Sequence, residues 1–123
     1  MGHRILIIDD DAEIRALVRR WIEHNGHVAD EAEDGPVGLS TVLEGNHDVA
    51  FVDIGLPVID GYEISRRVRA SPVSKRVCLV ALTANTDDPE VAFDAGFDAH
   101  VFKPVQEKTI KAVLDEIARR TGG

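Results

Sequence analysis

A chain of 123 residues has the length of one domain and can bury one core. Its formal net charge of −8 repels phosphate backbones, and the only basic cluster, Arg66, Arg67 and Arg69, is short and suits an exposed helix face, which argues against direct nucleic-acid binding. No apolar run approaches the roughly 20 residues of a membrane span, no secretory signal pattern opens the chain, and a single cysteine, Cys78, leaves no internal disulfide, so a reducing, cytoplasmic setting is expected.

The first element is an apolar run, Ile5–Ile8, that meets three acids, Asp9, Asp10 and Asp11. Helical spacing follows: Ile14, Leu17, Val18, Trp21 and Ile22 recur at i, i+3, i+4, i+7 and i+8, and Gly26 stops the helix at a C′ position. A half-polar stretch near His27–Ala32 reads as an edge strand, then Leu39, Val42 and Leu43 form a short helical stripe. Val49–Val52 is the third strand, and Tyr62–Ala70 is a helix with Asp60 as cap and Glu63 at the capping-box position. Val77–Leu82, a helix over Pro89–Ala95, Val101–Phe102 and a helix carrying Ile110, Val113, Leu114, Ile117 and Ala118 complete the pattern. Cys78, inside an apolar run, reads as inert core packing, and the five histidines show no metal-ligand spacing, with His24 and His27 only straddling a glycine turn.

Five βα units in a row predict one domain over residues 1–123, with a parallel five-stranded sheet and helices on both faces. Continuous apolar strands fit a sheet covered on both sides. Ligands of such folds bind beyond the carboxyl ends of the strands. Those ends carry the three acids after strand one, Asp53 after strand three, Thr83 after strand four and Lys103-Pro104 after strand five. In the doubly wound order 2-1-3-4-5 they are neighbours. Converging carboxylates make a hard oxygen site suited to Mg²⁺, which would offset their repulsion. With a hydroxyl and an ammonium beside them, they are the parts needed for phosphoryl transfer to Asp53. Singly, each has a plainer role: Asp10 or Asp11 as a helix cap, Asp53 as a loop residue, Thr83 as a turn former, Lys103 as a solvated charge.

The pieces "LIIDDD", "FVDIGLPVIDGYE", "LVALTA" and "FKP" together resemble the receiver domain of two-component response regulators, over essentially the whole chain. The shared pattern includes a loop of the form Asp–x₃–Pro–x₃–Gly, present as Asp53, Pro57 and Gly61. The resemblance implies that Asp53 is the phosphoacceptor. Asp10, Asp53 and the backbone carbonyl of Gly55 would coordinate Mg²⁺ directly, with Asp9 acting mainly through water. Thr83 and Lys103 would hold the phosphoryl oxygens, and Lys103-Pro104 would be a cis peptide. Asp11 falls at a variable position, so helix capping is its reading. Gly55 and Asn85 match positions that tune dephosphorylation in that family. His100 stands where many receivers place a rotating Tyr or Phe, which puts the usual aromatic gating in doubt. An imidazole there raises the hypothesis of a pH-sensitive switch. The implied donor is a histidine kinase or histidine phosphotransfer protein, and the implied output is a shift of the strand-four, helix-four and strand-five face toward a downstream target or attached domain.

Two other functions compete. Asp9-x-Asp11, then "LVALT", then Lys resembles a haloacid-dehalogenase-type phosphatase, with Asp9 as nucleophile and Asp11 as general acid. Against it, Glu13 stands where that family usually has Thr or Val, and no acidic pair follows a strand after Lys103. A cap domain would also find no room in this chain. The other competitor, a receiver-like binding module that is never phosphorylated, leaves the complete acidic, hydroxyl and lysine set without a use.

Overall fold

The computed structural model of the chain describes residues 2–84 and 87–120. Asn85, expected beside the site, lies outside the described residues. Five strands, β1 (Arg4–Ile8), β2 (Val28–Ala32), β3 (Val49–Asp53), β4 (Cys78–Thr83) and β5 (Ala99–Phe102), alternate with five helices. These are α1 (Ala12–His24), α2 (Gly35–Leu43), α3 (Gly61–Ala70), α4 (Pro89–Ala95) and α5 (Glu107–Arg120). The sheet is parallel throughout, in the order β2-β1-β3-β4-β5. That is the expected doubly wound arrangement.

The apolar strands are buried on both faces, so adjacent residues feed different cores. Leu6 and Ile8 pack with Val52, Leu79, Ile64 and Val68 under α2, α3 and α4. Ile5 and Ile7 pack with Phe51, Val80, Val18 and Ile110 under α1 and α5. Full coverage is why these strands carry no apolar/polar alternation.

Local signals set most helix ends. Gly26, at φ +86°, ends α1; its N–H donates to Glu23 O, and the N–H of His27 donates to Ile22 O, the pair of bonds that defines a Schellman cap. Asp11, Asp34, Asp60 and Asp88 cap α1, α2, α3 and α4 with their side chains.

Some expectations shift. β4 begins and ends one residue later than the apolar run suggests, which brings Thr83 into the strand, and β5 extends back to Ala99. Leu17 is 42% exposed, because the buried stripe of α1 narrows to Val18 and Ile22, flanked by half-buried Ile14 and Trp21. Glu63 does not complete a capping box: its carboxylate pairs with Arg66 and Arg67 along the same helix face. Cys78 is half-buried beside the core rather than within it.

Candidate functional site

Parallel pairing aligns the carboxyl ends of β1, β3, β4 and β5 on one edge. Ile8 is in register with Val52 and Asp53 with Leu82, so Asp9 and Asp53 leave adjacent strands side by side. Thr83 pairs with Phe102, and the N–H of Lys103 donates to Thr83 O at 2.6 Å. The sheet itself therefore delivers two acids, a hydroxyl and an ammonium to one place.

Asp9 is fully buried, and its Oδ1 accepts the N–H of Asp11 at 2.9 Å. Asp53 is 7% exposed, and its Oδ1 accepts the N–H of Gly55 at 3.0 Å. Asp10 is exposed at the mouth. Carboxylate oxygens of Asp9, Asp10 and Asp53 all lie within 4.8 Å of one another. Lys103 Nζ sits 3.2 Å from Asp9 Oδ2 and 3.3 Å from Asp53 Oδ1. Thr83 Oγ1 is buried without a hydrogen-bond partner. The peptide between Lys103 and Pro104 is cis.

Burial pushes the Asp9 carboxyl up from the ordinary carboxylate range; the Asp11 N–H pulls it down, and the Asp53 charge pushes it further up. For Lys103, burial favours the neutral form, but the charges of Asp9 and Asp53 outweigh it and hold the ammonium above its ordinary value. Asp9, Asp53 and Lys103 thus act on one another as one electrostatic unit. Close carboxylates with one cation between them retain unspent attraction for a divalent ion, and hard oxygen donors select Mg²⁺ by type. Asp9 Oδ2, paired only with Lys103 at 3.2 Å, and Thr83 Oγ1, buried without a hydrogen-bond partner, are where further polar partners fit.

Gly55 and Gly61 meet Asp53 through the backbone, Gly55 by the N–H bond above and Gly61 by close approach. Gly61 opens α3, and a Cβ there would stand 2.8 Å from both Asp53 O and Ile54 Cα. The loop after Asp53 can turn back only over a glycine. Pro57 lies exposed on that loop, and Gly55 is exposed beside Asp53. His100 is not in the acidic cluster. It stands two residues before Phe102 on β5, edge-on to Phe93 at 6.0 Å and to Phe102 at 4.8 Å. Asp11 also stays out, since its side chain accepts the N–H groups of Glu13 and Ile14 as the α1 cap.

One supporting residue escaped the sequence reading. Arg15 Nη1 donates to Asp9 O at 2.8 Å while its Nε donates to Glu31 at 3.0 Å, which ties the β1–α1 turn to the edge strand. Its only signal was an arginine in the first turn of α1 and an acid on a half-polar strand.

The family model of the response regulator receiver domain matches residues 5–115. The chain belongs to the response regulator receiver domain family. Among its curated relatives, the transcriptional regulatory protein ResD of Bacillus subtilis is 32% identical over 95% of this chain and 48% of its own length. The transcriptional regulatory protein AfsQ1 of Streptomyces coelicolor is 34% identical over 94% of this chain and 51% of its own. The chain thus spans about half the length of the curated relatives it matches. Among solved structures, the receiver domain of sensor histidine kinase PA1611 from Pseudomonas aeruginosa, with magnesium coordinated in its active-site cleft, superposes with a TM-score of 0.85 at 26% identity, covering 100% of both chains. The receiver domain of AraT from Geobacillus stearothermophilus gives 0.84 at 27% identity, covering 99% of this chain and 97% of its own.

As a receiver-domain edge, the cluster of Asp9, Asp10 and Asp53 fits a phosphoacceptor site. The phosphatase alternative finds no support, since its general acid, Asp11, is spent on capping α1.

Proposed function

We propose that residues 1–123 act as one receiver unit in which Asp53 accepts a phosphoryl group from a histidine kinase or histidine phosphotransfer protein. The observation that carries this reading is the convergence of Asp9, Asp10, Asp53 and Lys103 on the sheet edge where β4 ends in a buried Thr83 hydroxyl without a partner. A carboxylate oxygen of Asp53 attacks the phosphorus and the bond to the donor's imidazole nitrogen breaks; its electron pair stays on that nitrogen, and the ring leaves as neutral imidazole because its other nitrogen already carries a proton. Asp53 sits in a fixed pose because its Oδ1 is held by the Gly55 N–H and its backbone by the turn into Gly61.

Asp10, Asp53 and the carbonyl of Gly55 would hold Mg²⁺, with Asp9 acting through water. When bound, that ion supplies positive charge to the carboxylates and to the incoming phosphoryl oxygens. The fit of these acids supports this, as does the magnesium-bearing cleft of the PA1611 receiver. Lys103 would give its ammonium to a phosphoryl oxygen, and Thr83 its hydroxyl proton to another. Drawing Thr83 toward the phosphoryl group shifts the β4–α4–β5 face, with His100 turning between Phe93 and Phe102 as the face repacks.

The unit catalyses only its own phosphorylation and dephosphorylation, and it passes its state to a downstream target or an attached domain in the cytoplasm. Borohydride reduction after incubation with phosphoramidate and Mg²⁺ tests the acceptor. Conversion of Asp53 to homoserine, read by peptide mapping, is the expected result; reduction at Asp9 instead would contradict it.

A further inference from the structure

At the pole opposite Asp53, two cavities meet where β4 and β5 begin, at Cys78 and Ala99. Cys78, Ile117 and Arg120 line both, so the two adjoin. The larger, of about 510 Å³, has the size of a small-molecule site. It lies among the end of α3, the α3–β4 loop and the end of α5. The smaller, of about 190 Å³, runs along α5 beside the start of β5.

The larger cavity is cationic in an acidic chain. Arg69, Lys75, Arg76 and Arg120 line it against one acid, Asp98, although the whole chain has 14 basic residues and 22 acidic ones. Arg69 is fixed in place. Its Nη2 donates to Asp98 Oδ2 at 2.7 Å, its Nη1 to Val77 O at 2.6 Å and its Nε to Gly96 O at 2.9 Å. That ion pair cancels in charge. Arg120 Nε lies 3.4 Å from Glu116 Oε1, but Glu116 also serves Arg119. Lys75 and Arg76 are exposed and have no ion-pair partner among the described residues. The cavity therefore keeps an excess of positive charge, which favours an anion.

The smaller cavity differs in kind. Ala99, Ala112, Val113 and Ile117 give it aliphatic walls. Among the described residues it has one neutral hydroxyl, that of Thr109, and no aromatic ring to stack on a planar base. Burial, with the nearby Asp98 carboxylate, pushes the Cys78 thiol up to about 11, so the thiol at the junction stays protonated and adds no negative charge. An aliphatic groove that opens into a cationic cavity is complementary to an apolar tail with an anionic head.

We propose that this pole binds a small amphiphilic anion, an unbranched alkyl chain ended by a carboxylate or a phosphate ester. The chain lies along α5 in the aliphatic groove, and Lys75, Arg76 and Arg120 hold the head through charge-assisted hydrogen bonds. A peptide is the weaker fit, because its backbone would bring N–H and C=O groups against aliphatic walls that cannot answer them. The site uses the opposite end of the sheet from the acidic cluster, so binding there does not depend on the reading of Asp53.

Calorimetric titration of the 123-residue chain with decanoate and with decyl phosphate, below their micelle concentrations, tests this. Decyltrimethylammonium supplies the tail without the anion, and acetate and inorganic phosphate supply the anion without the tail. At least one decyl anion is expected to bind at a single site, about tenfold or more tightly than any of these three, and the tighter of the two names the head. Its addition should shift the amide signals of Cys78, Ala99 and Ala112. The double variant Lys75→Glu, Arg76→Glu should weaken that binding about tenfold by reversing the charge that holds the head. Ala112→Trp, at an exposed position on the groove wall, should weaken it to a similar degree by obstructing the chain. No binding of either decyl anion, equal binding of the decyl cation, unchanged affinity in both variants, or amide shifts confined to other parts of the chain would each overturn the proposal. So would a wild type that leaves the decyl anions unbound yet binds a polyglutamate peptide, which would give the cavity to an acidic protein segment.

Discussion

Lys103 Nζ stands between two carboxylates, 3.2 Å from Asp9 Oδ2 and 3.3 Å from Asp53 Oδ1. One cation faces three acids, so the site is built under charge repulsion that the fold must bear.

The burden falls on Asp9. Burial raises its folded-state pKa above the unfolded value, so its contribution to stability is complete below the ordinary carboxylate range and is lost as pH rises through the folded value. Above the folded value the wild type has lost it. Asp9→Asn, which can still accept the Asp11 N–H, should therefore be more stable than wild type in chelator at such pH. With saturating Mg²⁺ the wild type should recover the difference and the variant should gain less. Urea unfolding with and without Mg²⁺ reads both effects.

Gly61 offers a steric test. A methyl group there would press on the Asp53 carbonyl and Ile54 Cα, both backbone and both fixed by β3. Gly61→Ala should lose about 1–3 kcal/mol in urea unfolding. It should also slow labelling of Asp53 by phosphoramidate, because the carbonyl it presses on belongs to the acceptor residue itself.

At the opposite pole, the backbone N–H of His3 donates to His27 Nδ1 at 2.9 Å, and the two rings stack at 5.4 Å. An Nδ1 that accepts a main-chain N–H cannot carry a proton. Burial lowers the pKa of His27, and the charge of His3 lowers it further. The unfolded chain then binds the proton first, so this stability is present above the ordinary histidine value and is lost as pH falls below it. Wild-type stability should fall between pH 7.5 and 5.5, with faster amide exchange at His3. His27→Asn, whose carbonyl can accept the same N–H, should show a shallower fall.

Cys78 should be a poor nucleophile. Burial, with the nearby Asp98 carboxylate, pushes its thiol up to about 11. Alkylation by iodoacetamide at pH 8 should be at least about tenfold slower than for an unfolded-chain cysteine with its ordinary pKa. Urea should abolish the difference.

The sheet and the site's four strand ends were legible because each depends on nearest-neighbour chemistry: an apolar run, then a polar residue where the strand stops. Parallel topology does the rest, carrying residues far apart in sequence to one edge. What escaped depends on geometry that no periodicity encodes. Leu17 fits the helical stripe, yet α1 meets the sheet along a narrower line. Glu63 stands at the capping-box position, yet Arg66 and Arg67 on the same helix capture it. Arg15 reaches Asp9 only because α1 lies over the edge strand. The positive φ of Val58, +71°, is a backbone angle that no sequence periodicity carries.

The central claim is that Asp53 accepts the phosphoryl group. Intact mass after incubation with phosphoramidate, with and without Mg²⁺, beside Asp53→Asn, tests it most directly. One labile phosphoryl adduct that needs Mg²⁺ and is absent in Asp53→Asn is the predicted result. An adduct that survives Asp53→Asn, or a wild type that gains no mass under any of these conditions, would contradict it.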